Sequence, residues 1–161
     1  MTTSVSPGLP TPRLTKVYRL EATLGDPLDL GERPHGRRRI VALTGGKSSG
    51  PELKGRLLAG SSAEWQSRPA GRDCPWRHPL HARERRRRPD ARPVPRIRHG
   101  SAEVLGRLAR GMDADASEYV FRAATQIETA APHLDRLNRG IFVSVGGRHA
   151  SAVIYETYIV E

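Results

Sequence analysis

Residues 67–97 set the tightest limit on how this chain can fold. The segment holds six Pro and ten Arg against three acidic residues, so it carries ten minus three, or +7, of the chain's formal charge of +10. Proline removes backbone N–H donors that a sheet needs, and the four Arg of residues 85–88 cannot be buried without partners. No alternating apolar pattern offsets these costs. We therefore expect no strands from this segment.

The size and composition of the chain limit the class of protein. Its 161 residues suffice for one hydrophobic core, so we expect a flexible tail over residues 1–12 and a single domain over residues 13–161. No apolar stretch approaches the ~20 residues of a membrane span, and the first residues do not resemble a leader peptide. These features predict a cytoplasmic protein without a membrane partner. A single Cys74 and six His without ligand spacing predict no metal and no cofactor.

Outside residues 67–97, alternating apolar and polar residues predict short strands. The expected strands span residues 14–24, 39–44, 53–58, 119–129, 141–145 and 152–160. Glycines and prolines between residues 25 and 36 predict a loop, and residues 146–149 predict the loop of a C-terminal hairpin. This spacing favours a β-sandwich or a closed antiparallel barrel.

One short helix is expected after the basic segment. Ser101 is suited to be its N-cap, Val104, Leu105 and Leu108 form an apolar stripe, and Gly111 would end it. The sequence thus predicts an all-β fold with one helix.

Several short runs, in order and at consistent spacing, resemble one protein family. They are LGDPLDLG (24–31), RRIVALTGG (38–46), GPELKGRLLAGSSAEWQ (50–66), RHG (98–100), EVLGRLARG (103–111), SEYVFR (117–122), IETAAP (127–132), LNRGIFVSVG (137–146) and YETYIV (155–160). Together they resemble the small bacterial and fungal proteins named domain of unknown function number 3237, which are UPF0311-like. The resemblance implies a small antiparallel calycin-like β-barrel, incomplete here at residues 67–97.

The resemblance fails from Ser67 to Ile97, where family members carry an unrelated segment of the same length. Codons for residues 80–90, LHARERRRRPD, can be chosen so that a reading displaced by one base gives YTLENDDGAL, similar to the family's strand and Asp-Asp-Gly turn. Two explanations stay open. Either two compensating frame changes produced the segment, or it is a divergent insert.

The polar face of the strand 119–129 is the first candidate site. Arg122, Gln126 and Glu128 share that face, opposite the apolar face that carries Tyr119. If the polar face points inward, as polar positions of the family's barrel can, these residues line a ligand cavity. The alternative is that they form the exposed face and that the apolar side chains form the core.

Further candidates lie elsewhere, each with a structural alternative. His99 is a candidate general base or a loop histidine satisfied by backbone; Asn138 would orient a ligand or close a turn; and Trp65 would wall the cavity or pack in the core. The candidate catalytic groups are thus His99 and Glu128. The candidate substrate-binding residues are Trp65, Arg98, Tyr119, Arg122, Gln126 and Asn138, with Arg98 and Arg122 expected to stabilise an anion or enolate.

These residues predict a small-molecule-binding β-barrel, in its most specific form a cofactor-free isomerase, cyclase or lyase that transfers protons on a ring-containing metabolite. The alternatives are a barrel that only binds its ligand and a nucleic-acid-binding module that uses the Arg-rich segment. That segment lacks the interleaved aromatic residues that stack on bases, so no specific nucleic-acid partner is expected. Homo-oligomerisation stays open.

Overall fold

The computed structural model describes residues 8–32, 34, 36–60, 62–68, 76–78 and 96–161. Within them the chain forms one antiparallel sheet and two short helices. In chain order the elements are β1 (Leu14–Asp29), β2 (Arg37–Ser49), β3 (Gly55–Leu57), β4 (Ser62–Arg68), β5 (Trp76–His78), β6 (Arg96–Gly100), α1 (Ala102–Ala109), β7 (Tyr119–Thr125), a 3₁₀ helix (Pro132–Arg139), β8 (Phe142–Arg148) and β9 (Ala152–Val160). The predicted all-β class is confirmed.

The strands follow the order β3-β2-β1-β9-β8-β7-β6-β5, and β4 pairs with the part of β2 that β3 leaves free. The sheet curls until β4 faces β6, where Glu64 Oε1 lies 2.6 Å from Arg96 Nη1. No backbone ladder joins β4 to β5 among the described residues, so the sheet is barrel-like without being closed there.

The inward side chains form two apolar clusters. The larger contains Ala22, Leu43, Tyr119, Phe121 and Val153 together with two residues of α1, and the smaller contains Val17, Leu137, Phe142 and Ile159. Simple alternation places Val17 and Ala22 on opposite faces of β1. A register shift between Lys16 and Tyr18 against β9 lets both point inward.

Helix α1 matches its prediction. The Ser101 side chain accepts a hydrogen bond from Val104 N at 3.2 Å, Val104 and Leu108 are buried, and Gly111 follows the helix with a φ of 77°. A second short helix, of the 3₁₀ type, was not predicted and begins at Pro132. Proline is favoured at a helix start, where its missing N–H breaks no hydrogen bond.

Several predicted strand boundaries need correction. The β1-β2 hairpin extends to Asp29 and Arg37, so the loop is shorter than expected, whereas β7 ends at Thr125. The expected strand at residues 53–58 is replaced by β3 and a separate β4. The C-terminal hairpin turns at residues 149–151, since β8 continues through Gly146. A Cβ on Gly146 would lie 2.6 Å from the Phe121 ring, which explains a glycine inside this strand.

Residues 67–97 do not lack strands entirely. Residues 67 and 68 extend β4, residues 76–78 form β5, and residues 96 and 97 begin β6. The expectation of no strand is therefore wrong at both margins of the segment, where β2 and β7 supply ladders, and at residues 76–78, which pair with β6. Its central residues, 69–75 and 79–95, lie outside the described residues. No helix of the described chain is long and apolar enough to cross a membrane.

Candidate functional site

Glu64 is the centre of a polar cluster inside the curled sheet. Its side chain is only 10% exposed, and it points inward from β4 because residues 62–66 alternate. Glu64 Oε1 accepts from Arg96 Nη1 at 2.6 Å and from the Tyr155 hydroxyl at 3.2 Å, and Oε2 accepts from Gln66 Nε2 at 3.3 Å. Residues from three separate strands thus meet on one carboxylate.

The groups around Glu64 determine the protonation states of Glu64 and Tyr155. Burial raises the pKa of Glu64, but the charge of Arg96 and the hydrogen bonds from Gln66 and Tyr155 outweigh this, so the net pKa lies below its ordinary value. Burial and the nearby Glu64 charge raise the pKa of Tyr155. Near neutral pH the pair is therefore a carboxylate that accepts a hydrogen bond from a neutral phenol.

Two arginines of this cluster stack over aromatic rings. The Arg96 guanidinium lies 5.8 Å from the centre of the Tyr155 ring, and the Arg98 guanidinium lies 5.6 Å from that of Phe121. The two rings contact each other edge to face at 5.4 Å. Arg96 and Arg98 are two residues apart on β6, which places both on its inward face.

A cavity of about 320 Å³ lies beside this cluster, at the end of the sheet that α1 covers. Its described lining comes from inward residues of β2, β4, β6 and β8, which we call the polar wall, and from residues of β1 and α1. The described lining residues are Leu24, Gly25, Asp26, Pro27, Arg39, Val41, Gln66, Arg98, Leu105, Leu108, Ala109, Arg110, Gly111, Arg148, Ala150 and Ser151. Residues at positions 109–111 and 150–151 are exposed, so the cavity opens to the surface between α1 and the β8-β9 turn.

Hydrogen bonds connect the Glu64 cluster to the cavity wall. Gln66 donates to Glu64 and accepts from Arg39 Nη2 at 3.0 Å, which fixes the orientation of its amide. Arg148 Nη1 donates to the carbonyl oxygens of His149 at 2.6 Å and Ala152 at 3.0 Å. The polar wall is thus held in place before any ligand enters. Among the described residues, no three His, Cys, Asp or Glu side chains come together as metal ligands would.

The predicted polar face of β7 is not the cavity wall. Arg122 and Glu128 are both exposed, as is Gln126, while Tyr119 and Phe121 are each only 5% exposed. Residues 126–128 also lie beyond the end of the strand. The inward placement of Arg122, Gln126 and Glu128 is therefore wrong, because the opposite face, carrying Tyr119 and Phe121, provides the core.

The structure separates two further candidates from the cavity. Asn138 is exposed, and its amide accepts from Thr129 N at 2.8 Å and donates to Thr129 O at 2.9 Å. This matches the turn-closing alternative, and Asn138 is not among the described residues that line the cavity. His99 is also exposed, since it points outward from β6, and it too is absent from the described lining. The ligand-orienting role of Asn138 and the general-base role of His99 stay predictions, and this cavity does not support them.

Among the remaining candidates, only Arg98 is placed in the described cavity wall. Tyr119 lies in the core, where its hydroxyl accepts a hydrogen bond from Arg148 N at 2.7 Å. Tyr119 therefore holds the backbone of the lining residue Arg148 in place and is not itself among the described lining residues. Trp65 belongs to β4, opposite Ile40 of β2, and its side chain lies outside the described part of the structure.

Sequence reasoning missed Glu64, Gln66, Arg39, Arg148 and Tyr155. A signal for Glu64 and Gln66 was present, because the run SAEWQ places both on one face of a possible strand. No such signal marks Arg148, which follows two glycines and reads as loop.

The family model described as Protein of unknown function (DUF3237) matches residues 12–78 and 97–160. The chain belongs to this family. A UPF0311 protein of Rhodopseudomonas palustris is 29% identical over 158 residues, which cover 92% of this chain and 97% of that protein. The family resemblance inferred from the sequence is thus confirmed.

Solved structures show the same fold. The crystal structure of the R. palustris protein, described as a conserved protein of unknown function, has a TM-score of 0.72 at 24% identity and covers 95% of this chain and all of that one. A β-barrel-like protein from Acinetobacter baumannii has a TM-score of 0.66 at 28% identity, covering 97% of this chain and all of that chain. An enzyme from Penicillium herquei has a TM-score of 0.55 at 13% identity, over 98% of this chain and all of that one.

Proposed function

We propose that the protein binds a small ring-containing organic molecule in the cavity beneath α1. The observation that carries this proposal is the cavity itself, which combines a polar wall with an apolar one. Its volume of about 320 Å³ lies at the small end of the range for ligand sites, about 300 to 1,000 Å³. The hydrogen bonds that hold Gln66, Arg39 and Arg148 in place reduce the cost of ordering the site around a ligand.

The test uses two tryptophan variants of the same helix. Ala109 lines the mouth of the cavity, so Ala109→Trp would fill the opening, whereas the exposed Ala102 does not line it and Ala102→Trp is the control. A library of small aromatic compounds is screened against the native protein by thermal shift and ligand-observed NMR. We expect hits that saturate at one per chain, retain affinity for Ala102→Trp and lose it for Ala109→Trp. No saturable hit, or equal binding to both variants, would contradict the proposal.

Catalysis is a second candidate function, in the form of a cofactor-free isomerase, cyclase or lyase that acts by proton transfer. The Glu64 carboxylate and the Tyr155 phenol favour it, because the two groups share a hydrogen bond at 3.2 Å and Gln66, which lines the cavity, donates to the same carboxylate. The fold also occurs in a protein described as an enzyme.

The catalytic candidate is tested on ligands that the screen identifies. Each ligand is incubated in buffered D₂O with the native protein or with Tyr155→Phe, and is then recovered for mass spectrometry. Deuterium uptake or rearrangement with the native protein that falls at least tenfold with Tyr155→Phe supports proton transfer. Recovery of unchanged ligand in both cases favours a barrel that only binds.

A further inference from the structure

We infer that the cavity selects an organic anion with an apolar body, such as an aromatic carboxylate or phenolate. This inference rests on the proposed function and narrows it to one ligand class. It depends on two groups of lining residues, the arginines, called the cationic wall, and the apolar side chains of β1 and α1.

The cationic wall comes from β2, β6 and β8. The described lining holds Arg39, Arg98, Arg110 and Arg148 against Asp26, which gives four minus one, or +3. Arg110 and Asp26 are exposed at the mouth, so their charges meet water. Arg39, Arg98 and Arg148 are partly buried on inward positions, and burial lowers the pKa of Arg98 and of Arg148.

Arg39 and Arg148 carry the charge that a ligand anion would meet. Glu64 has one negative charge, and its shortest contact is with Arg96, a further interior cation. The described hydrogen bonds of Arg148 are to carbonyl oxygens, and that of Arg39 is to the Gln66 amide. Such neutral acceptors orient guanidinium groups without cancelling their charge, and the charge of Arg39 acts on Arg148. A ligand anion would therefore reduce the cost of holding Arg39 and Arg148 near each other.

The lining residues of β1 and α1 have a different chemistry. Leu24 and Pro27 of β1 and Leu105 and Leu108 of α1 are apolar, and among the described lining residues of these two elements only Asp26 carries a charge. Guanidinium groups bind carboxylate-like heads through paired hydrogen bonds, while apolar side chains contact rings or short chains. The two groups of lining residues together fit a molecule that is anionic at one end and apolar at the other.

The first experiment compares two fluorescent probes of similar shape. The anion 1-anilinonaphthalene-8-sulfonate carries a head that stands in for a carboxylate, and N-phenyl-1-naphthylamine is the same skeleton without it. We expect the sulfonate to bind at one per chain and at least tenfold more tightly than the neutral amine. Ala109→Trp should remove this binding, while Ala102→Trp should not.

Charge variants locate the head group. Arg148→Gln should weaken the sulfonate at least tenfold and leave the neutral amine unchanged. The matched control is Arg122→Gln, which removes the same charge from the exposed face of β7. In a second measurement on the native protein, naphthalene-2-carboxylate should displace the bound sulfonate at least tenfold better than naphthalene-2-carboxamide does.

The outcomes separate the two proposals. Equal affinity for both probes, with binding still blocked by Ala109→Trp, would overturn the anion inference and leave a neutral ligand in the same cavity. Equal displacement by the acid and the amide would overturn it in the same way, even if Arg148→Gln failed to fold. Failure of every probe to bind the native protein at one per chain would contradict both the inference and the proposed function.

Discussion

The Glu64 carboxylate holds together parts of the fold that no described backbone ladder connects. It lies on β4, which pairs with β2 beside the main strand order, and accepts hydrogen bonds from Arg96 on β6 and Tyr155 on β9. Such a buried carboxylate is costly unless its partners are present. The same side chain therefore serves the curl of the sheet as well as the polar wall of the cavity.

Replacing Glu64 by Gln should destabilise the protein. The substitution keeps a similar shape but leaves Arg96, whose side chain is 25% exposed, without a negative partner. We expect a loss of about 2 to 3 kcal/mol in the free energy of unfolding, below the full value for a deeply buried pair. Urea denaturation measures it.

The control is Glu21→Gln, because Glu21 pairs with Arg19 and Lys47 on the outer face and its side chain is 38% exposed. It should cost less than Glu64→Gln, because solvent screens an exposed ion pair. Equal losses in the free energy of unfolding for the two variants would show that the buried hydrogen bonds of Glu64 stabilise the fold no more than an exposed ion pair does.

At this scale the sequence singled out Arg98, which lines the described cavity, but it placed Arg122 and Glu128 on an inward face that is exposed in the structure. Alternation divides a strand into two faces, yet it does not say which face of a ligand-binding barrel points inward, since both polar and apolar interiors occur. The curl of the sheet determines which face of β7 points inward, because it packs Phe121 against Tyr155 of β9. These two residues are 34 positions apart, so the local sequence pattern around β7 does not indicate their contact.

Strand β1 and its neighbours show how an exposed face can be held by charge. Lys16 and Arg19 both contact Glu156 Oε1 at 3.0 Å, and the Tyr158 hydroxyl donates to Glu156 Oε2 at 2.8 Å. This cluster, formed by Lys16, Arg19, Glu156 and Tyr158, lies across the β1-β9 ladder. It is a cross-strand network on the outside of the sheet.

The cluster around Glu156 predicts a dependence of stability on pH. Hydrogen bonds from Lys16, Tyr158 and Arg19 lower the pKa of Glu156 to about 2. A carboxyl group whose folded pKa is depressed stabilises the fold above its unfolded pKa, about 4.3, and loses that contribution as the pH falls toward 2. We therefore expect the free energy of unfolding to decrease across this window, and Glu156→Gln to reduce the decrease by about 1 kcal/mol or less, because the group is partly exposed.

Chemical denaturation at several pH values between 5 and 2 measures the effect. Glu103→Gln removes the same formal charge from α1 and should leave the slope unchanged. An unaltered slope in Glu156→Gln would mean that the cluster contributes nothing to acid stability.

Elements were predictable where local pattern suffices, as for α1 and β9. Strand ends were not, because the neighbouring strand sets them. β7 ends at Thr125 because its partner β8 begins opposite, at Phe142. β2 continues through Gly45 and Gly46, although these two glycines predicted the end of the strand. A Cβ on Gly46 would lie 2.4 Å from Glu21 O, so only glycine permits the close approach of β2 to β1 at this position.

The whole molecule combines a family fold with a segment that the family does not share. The family match runs to residue 78 and resumes at residue 97, so the unmatched part is residues 79–96. From the sequence, the mismatch was expected to begin at Ser67. Strand β5 agrees with the longer match, because residues 76–78 pair with β6. Ten minus seven leaves +3 for the chain outside residues 67–97, so the excess charge belongs to the segment and not to the family fold.

The coding DNA distinguishes the two origins of this segment. Two compensating frame changes would keep the length and both flanks while replacing every residue between them, and displaced readings of GC-rich DNA are rich in Arg, Pro, Ala and Gly. We expect a frame displaced by one base, between the codons of Gln66 and Arg98, to encode a strand, an Asp-Asp-Gly turn and a second strand. The DNA over residues 80–90 should read close to YTLENDDGAL in that frame.

Reading all three forward frames is the measurement. Stop codons in both displaced frames, or no strand-turn-strand pattern in either, would identify a divergent insert. In that case the basic charge is a property of the protein, and its binding to nucleic acid at physiological salt becomes the next quantity to measure.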